Sequence, residues 1–213
     1  MGNIYPICIK LEGRPCLVIG GGEVACRKAK TLLEYGARVD VITLSACEEM
    51  HQLFRGGSVD LELRAYADGD EEGYFLVFAA TGDTNVNRRI AENCSKNNIL
   101  LNAVDDPDNC DFYVPAQFNR DDVTVAISTY GKSPVLAAYL KERIAETVTE
   151  EYGVLADLFG ELRPAVNASG KSEKERKEFY RDLLARDPVT MIRNNETQQV
   201  REMFRTCISS WLD

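Results

Sequence analysis

Val18-Ile19-Gly20-Gly21-Gly22-Glu23-Val24-Ala25 is the stretch that decides how the first half of this chain folds. It fits the pattern G-x-G-x-x-G/A, with Ala25 in the last small position. Upstream lies the short apolar run Pro15–Ile19. Downstream, Val24, Ala25, Ala29, Leu32 and Leu33 recur at helical spacing from Glu23 to Tyr35, and Gly36 is placed to end that helix. Val39–Ile42 then predicts a second strand. Gly20 permits a tight turn, Gly22 leaves room for a phosphate against the backbone, and the small Ala25 lets helix and strand pack closely. The helix N-terminus favours an anion in front of it. A strand, glycine turn, helix and strand in this order are expected to hold a dinucleotide; a merely structural turn is the alternative.

Working outward, Phe75–Ala80 is a further buried-type strand, followed by a helix around Asn85–Asn97 and a strand at Ile99–Ala103. Strands alternating with helices predict an α/β, Rossmann-type doubly wound parallel sheet. The character then changes. Val123–Ile127 reads as a strand, Ser128–Ser133 as a polar loop and Pro134–Glu150 as a helix, with Ser133 as N-cap and Pro134 at the first helical position. Beyond residue 150 only helices are expected, interrupted at Asn167–Ser172 and Asp187-Pro188. The last helix carries the stripe Val200, Met203, Phe204, Cys207, Ile208 and Trp211, which predicts core or dimer packing. The acidic loop Asp68-Gly69-Asp70-Glu71-Glu72 reads as a solvated turn.

Composition narrows the function classes. The net charge of −9 over 213 residues argues against nucleic acid as the main partner. No apolar run approaches membrane-spanning length, and the opening residues do not resemble a signal peptide, so a cytoplasmic protein is expected. The 7 cysteines form no CxxC pair, and a single His51 cannot build a histidine metal site, so no resident metal is expected. The first 150 residues carry most of the negative charge, so an anionic substrate would need a local basic pocket.

Three places could carry chemistry. The acid expected at the end of the second strand, where a dinucleotide's ribose would sit, is missing: Ile42-Thr43-Leu44-Ser45 stands there, and Asp40 lies too early. Hydroxyls of Thr43 and Ser45 could replace it. With no arginine at hand before Arg55, NAD is favoured over NADP. Ala79-Ala80-Thr81-Gly82-Asp83 ends a buried strand at its carboxyl edge, so Thr81 is placed to line the nicotinamide half; a plain Gly-Asp turn is the alternative. In Asn102-Ala103-Val104-Asp105-Asp106-Pro107, an acid just past a strand end could accept a proton as hydride departs, although Asp-Asp-Pro also reads as a turn.

Taken together, these stretches resemble the N-terminal module of siroheme synthase and its stand-alone relatives, the precorrin-2 dehydrogenases that sometimes also insert iron. The resemblance rests on Tyr5-Pro6, the glycine stretch with Arg27-Lys28-Ala29, Ala79-Ala80-Thr81, Asn102-Ala103-Val104-Asp105, Phe112-Tyr113-Val114-Pro115-Ala116, and Val125 through Pro134. It covers about residues 4–145, in the family's order. It implies three parts: a NAD-binding domain over 1–112, a dimerisation region over 113–150 and a small all-helical domain over 151–213. It also implies that Asp105 is catalytic for dehydrogenation and metal insertion, and that Gly22, Glu23, Val24, Leu44 and Ser45 contact the cofactor. The implied reaction is NAD-dependent oxidation of precorrin-2 to sirohydrochlorin by a homodimer, with ferrous iron as a possible further substrate. Tyr130 departs from the family's small residue in the serine-rich loop. No methyltransferase domain is present in the 213 residues, so synthesis of precorrin-2 itself is not expected.

Precorrin-2 carries many carboxylates, so positive groups should gather where it binds. Arg120, Lys132 and the helix start at Ser133 are candidates, with Asn102 and Ser128 as further substrate contacts; Lys132 as a solvated loop residue is the alternative. Two other functions stay open: a non-catalytic NAD-sensing module, and an oxidoreductase for another small substrate. The acid that such sensing modules keep at the end of the second strand is Thr43 here. A Tyr-x-x-x-Lys dyad, expected of one large oxidoreductase group, is not evident around Tyr113 or Tyr130.

Overall fold

The computed structural model describes residues 4–212 and divides into two compact units, one ending at Val114 and one starting at Pro115. In the first unit five strands form one sheet: β1 (Pro15–Ile19), β2 (Arg38–Thr43), β3 (Val59–Leu63), β4 (Leu76–Ala79) and β5 (Leu100–Ala103). Every pairing is parallel and the order is β3-β2-β1-β4-β5. Parallel strands need crossovers, and α1 (Glu23–Glu34), α2 (Glu48–Arg55) and α3 (Thr84–Asn97) supply three of them. The order reverses between β1 and β4, so the chain switches sides next to the glycine turn.

Alternation along each strand divides the core in two. Cys16, Val18, Val39, Val41, Leu76 and Phe78 face Ala25, Cys26, Ala29, Leu32 and Met50 of α1 and α2. Leu17, Ile19, Ile42, Val77 and Ala79 face Ile90, Ala91 and Cys94 of α3. Covered on both faces, these strands are mostly apolar, as a doubly wound sheet requires, with Asp40 of β2 as an exception. Helix α1 ends at Glu34, and Gly36 takes φ +74, a left-handed conformation that stops the helix.

Two expectations need correction in this unit. The strand Val59–Leu63 was not anticipated, because Val59-Asp60-Leu61-Glu62-Leu63 alternates acids with apolar residues and lies at the sheet edge, half exposed. The acidic loop is not a solvated turn. Glu71 is only 1% exposed and accepts a hydrogen bond from the Tyr66 hydroxyl at 2.8 Å, while Asp70 takes two bonds from Arg64 and one from the Ala67 N–H. The 64–75 segment, with Tyr66 and Tyr74, packs against the core on the α3 side, and a buried carboxylate there needs its donor.

The second unit begins with an antiparallel hairpin, β6 (Ala116–Arg120) and β7 (Val123–Ile127). Only its second strand was expected. Helix α4 (Pro134–Ala145) starts at the predicted cap, where Ser133 Oγ accepts from the Leu136 N–H at 3.1 Å, but it stops at Ala145 and not near residue 150. Next come α5 (Glu151–Ala168), α6 (Glu173–Leu184), α7 (Pro188–Arg193) and α8 (Thr197–Leu212). Both predicted breaks are helix starts: Ser172 builds a reciprocal cap with Glu175, and Asp187 caps α7 ahead of Pro188. The predicted stripe on α8 is core: Val200, Phe204 and Ile208 are buried against Leu155, Leu158, Leu162, Phe179 and Leu183.

Candidate active site

All five strands of the parallel sheet end on one edge, and the glycine turn, the 43–47 turn, the 80–83 turn and the Asp105 turn leave from it. Each glycine does something different. Gly20 sits at φ +132, and a Cβ there would strike the Ala80 carbonyl. Gly21 was not singled out in the sequence, yet a Cβ on it would collide with the Ser45 carbonyl and with Thr43 Oγ1 and Cγ2. Its own carbonyl accepts the Cys47 N–H at 2.8 Å, locking the glycine turn to the turn after β2.

Gly22 is different again. It is the N-cap of α1 in ordinary extended backbone (φ −77°, ψ −178°), and a Cβ there would meet no atom within 4 Å. No described side chain caps the helix, so the first-turn N–H groups ahead of Cys26 point outward without an intrahelical acceptor. Open space beside orphan N–H donors fits a pyrophosphate. Glu23 and Val24 lie exposed at this mouth, while Ala25 is buried against the sheet.

After β2, Leu44 and Ser45 are exposed, and Leu44 is among the more exposed apolar residues of the chain, at 78%. Thr43 is buried and its hydroxyl is committed locally: it donates to the Ser45 carbonyl at 2.8 Å and accepts the Ser45 N–H at 3.4 Å. Thr43 therefore holds the turn and leaves Ser45 as the hydroxyl facing outward. Asp40 is indeed too early; Tyr74 donates to its carboxylate at 2.5 Å. Arg55 lies on α2 in an ion pair with Glu48.

At the end of β4, Thr81 donates to Asn87 Oδ1 at 2.6 Å, and the Asn87 amide returns a bond to the Thr81 carbonyl at 3.2 Å. Asn87, buried in α3 and unnoticed in the sequence, clasps this turn, and Asp83 caps the same helix through the Asn85 and Val86 N–H groups. One strand further out, Asp105 follows β5 at φ +61. Aspartate is one of the few non-glycine residues that tolerate this left-handed region. Its carboxylate is exposed and has no hydrogen-bond partner among the described residues. The neighbouring Asp106 accepts from the Asn109 amide at 2.7 Å.

Two predicted substrate contacts have other occupations. Asn102 is buried within β5, and its amide donates to the Phe112 carbonyl at 2.9 Å. In the second unit the Arg120 guanidinium bonds the Val148 and Asn119 carbonyls, pairs with Glu150 and lies over the Phe118 ring. The Asn102 amide donors are taken, and the Arg120 guanidinium is tied through Nε and Nη1, so both residues hold structure. Ser128 accepts the Tyr130 N–H at 3.2 Å, and Thr129, also unnoticed, donates to the Ser133 carbonyl at 3.0 Å and accepts its N–H at 3.2 Å. This stitched loop leaves Lys132 exposed at the start of α4.

Comparison with known proteins gives three family matches. A family described as "Putative NAD(P)-binding" matches residues 7–116, one described as sirohaem biosynthesis protein central matches 120–147, and sirohaem synthase dimerisation region matches 151–208. The dimerisation label thus falls on α5–α8, whereas the resemblance read in the sequence put it on 113–150. The siroheme synthase of Methylococcus capsulatus is 41% identical over 182 residues, 85% of this chain and 38% of that protein. That of Thioalkalivibrio sulfidiphilus is 34% identical over 211 residues, 99% of this chain and 43% of that protein. This chain therefore spans about two fifths of the length of these relatives. A solved structure named SirC, precorrin-2 dehydrogenase, superposes with a TM-score of 0.72 at 25% identity, covering 97% of this chain and all of that one.

Proposed function

The chain belongs to the sirohaem synthase family of NAD(P)-binding proteins, and on that premise we propose that it is an NAD-dependent dehydrogenase oxidising precorrin-2 to sirohydrochlorin. One observation carries this reading. An uncapped glycine turn shaped for a pyrophosphate and an unpartnered aspartate share the carboxyl edge of one parallel sheet, two strands apart. The solved structure that this chain matches along its whole length is named for the same reaction.

Bound NAD supplies a hydride acceptor. The protein's part is to bind, orient and take a proton. Gly20 and Gly21 set the tight turn, and Gly22 leaves room for the pyrophosphate in front of the free N–H groups at the start of α1, with Glu23 and Val24 beside it. Leu44 and Ser45 face the adenosine, and Thr81, fixed by Asn87, lines the nicotinamide half. Asp105 takes the proton that must leave the macrocycle as the hydride departs, which balances loss of two hydrogens. NAD is the cofactor in preference to NADP, because no free arginine stands at the end of β2 to receive a 2′-phosphate. Lys132 and the start of α4 are the basic features left for the substrate's carboxylates, with Ser128 and Ser133 beside them. If ferrous iron is a second substrate, the same carboxylate would accept the pyrrole protons displaced by the metal.

The working unit in this proposal is a homodimer. Val135, Leu136 and Tyr139 of α4 are 80%, 48% and 56% exposed, and only Ala137 of that helix is buried. An apolar helix this bare matches a face covered by a second copy. The proposed parts remain 1–112 for NAD and 113–150 for dimer contacts, with α5–α8 as the helical domain. No described helix is long and apolar enough to cross a membrane, and all seven cysteines are free thiols, which suits the reducing cytoplasm. Incubation of purified protein with precorrin-2 and NAD should yield NADH together with the sirohydrochlorin spectrum. Absence of NADH above the protein-free rate, with NAD and NADP alike, would overturn the assignment.

A further inference from the structure

The end of β5 is held in an unusual way. β5 is an edge strand, so its outward N–H groups have no strand to bond. The segment just beyond the Asp105 turn provides side chains in place of a strand. The Leu101 N–H donates to Asp111 Oδ2 at 2.9 Å, and the Ala103 N–H donates to Cys110 Sγ at 3.2 Å. The Asp111 N–H returns to the Leu101 carbonyl at 2.8 Å.

The sulfur does more than cover an edge. It lies 3.2 Å from the Ala103 carbonyl and 3.3 Å from the Asp106 carbonyl, within donating reach of both, and the Asn102 amide approaches it at 3.7 Å. Ala103 precedes the Val104-Asp105 turn and Asp106 follows it. The Asp106 N–H closes the turn that carries the unpartnered carboxylate on the Ala103 carbonyl at 3.3 Å, and the sulfur braces the same two residues through their carbonyls. Burial pushes the Cys110 thiol up from its ordinary pKa, so it stays protonated and keeps its S–H for donation.

We infer that Cys110 is a positioning residue for the dehydrogenation: its thiol fixes the left-handed turn that presents Asp105. This rests on the reading of Asp105 as the proton acceptor. Displacement of a reacting group by about 1 Å can cost on the order of 100-fold in rate, whereas one weak thiol hydrogen bond adds little to stability.

The test is a double-mutant cycle on the full chain, measuring kcat for precorrin-2 oxidation at saturating NAD, with NAD affinity by calorimetry. Cys110→Ala should lower kcat by about 10- to 100-fold with NAD affinity unchanged. Cys110→Ser, which restores a donor and acceptor, should recover kcat to within about fivefold of the parent. In the Asp105→Asn background, Cys110→Ala should cost no more than about a further twofold, because the group it positions is gone. If the alanine variant does not fold, the cycle is run with Cys110→Ser, whose smaller loss must vanish in the same background. A Cys110→Ala enzyme at full kcat beside an impaired Asp105→Asn enzyme overturns the positioning role and leaves the base standing. Losses that multiply in the double variant overturn it as well. An unimpaired Asp105→Asn enzyme removes the base, and the positioning role with it.

Discussion

Gly22→Asp should weaken NAD binding while leaving the protein as stable as before or slightly more so. Gly22 has ordinary extended backbone, and its Cβ direction is empty to 4 Å, so a side chain introduces neither strain nor collision. It is also the N-cap of α1 with no side-chain cap, and aspartate in place of glycine there gains a few tenths of a kcal/mol, or roughly 2 °C at most in Tm. Binding responds with the opposite sign. A carboxylate about 5 Å from one phosphate charge costs about 0.8 kcal/mol at water-like screening and about 3 kcal/mol at an effective dielectric of 20. The affinity loss is then about 4-fold at the least and about 200-fold at the most, before any steric term. Gly22→Asn carries the same volume without the charge and should lose less, with a weaker dependence on salt. Gly21→Ala is the contrast: its methyl would meet the Ser45 carbonyl and Thr43, and overpacking of this kind costs about 1–3 kcal/mol of stability. Calorimetry of folded Gly22→Asp reads the result. NAD affinity within about threefold of the parent would refute the phosphate cradle, since even the best-screened charge term predicts more.

The other expectations concern the base, the assembly and one carboxylate. Asp105→Asn should fold normally, since asparagine also tolerates the left-handed region, bind NAD normally and lose at least about 100-fold in dehydrogenation rate. Asp106→Asn, whose carboxylate faces Asn109, should lose much less; equal losses would mean the pair acts as one charged patch. Sedimentation at micromolar concentration should show a dimer, and Tyr139→Asp on the bare face of α4 should weaken it. A parent protein running as a 23.8 kDa monomer would remove that interface. Glu151 is held down to about 2 by the Thr149 hydroxyl, its own N–H and Arg193. A lowered folded-state pKa stabilises above the unfolded value and is lost as pH falls through the folded one. The Tm difference between the parent and Glu151→Gln should therefore be full above about pH 5 and close between about pH 4.5 and 2; a gap constant with pH would contradict it.

What the sequence disclosed follows from where each constraint lies along the chain. The glycine turn, α1, β4 and β5 were legible because their requirements are local: a small residue at a tight turn, apolar runs in strands covered on both faces, and a 3.6-residue period. Edge elements were harder. β3 mixes acids with leucines, and β6, Ala-Gln-Phe-Asn-Arg, has no apolar run at all, since neither strand is buried on both faces. Glu71 looked like part of a solvated acidic loop because nothing near it in sequence announces that Tyr66 will supply a buried donor. The site divides in the same way. Gly20, Gly22 and Asp105 follow from the pattern at strand ends, whereas Gly21, Asn87, Cys110 and Thr129 act through partners that only the folded chain brings near. Asn102 and Arg120 show the converse, polar residues in suggestive places that the fold ties into structure, Asn102 through its amide and Arg120 through Nε and Nη1.

The positions of left-handed residues separate structural from functional loops. Among the described residues, six that are not glycine have positive φ: Asn98, Asp105, Asp121, Tyr130, Asp187 and Asn195. Asn98 closes α3, Asp121 turns the β6–β7 hairpin, Asp187 caps α7 and Asn195 links α7 to α8, so the fold itself accounts for four of them. All four are Asn or Asp, the types that reach this region at low cost. Asp105 shares that chemistry but caps no α-helix and closes no hairpin; its turn leads from β5 into a single 3-10 turn at Pro107–Asn109 and leaves its carboxylate bare. Tyr130 is a bulky aromatic in a conformation that disfavours one, directly before Gly131 at φ +74. Neither helix capping nor hairpin closure calls for two successive left-handed residues there. Strain of about 1–3 kcal/mol persists only where surrounding bonds impose it, and here Ser128, Thr129 and Ser133 impose it. The two turns that the fold does not explain are the ones that carry Asp105 and Lys132, the proposed base and the basic group left for the substrate.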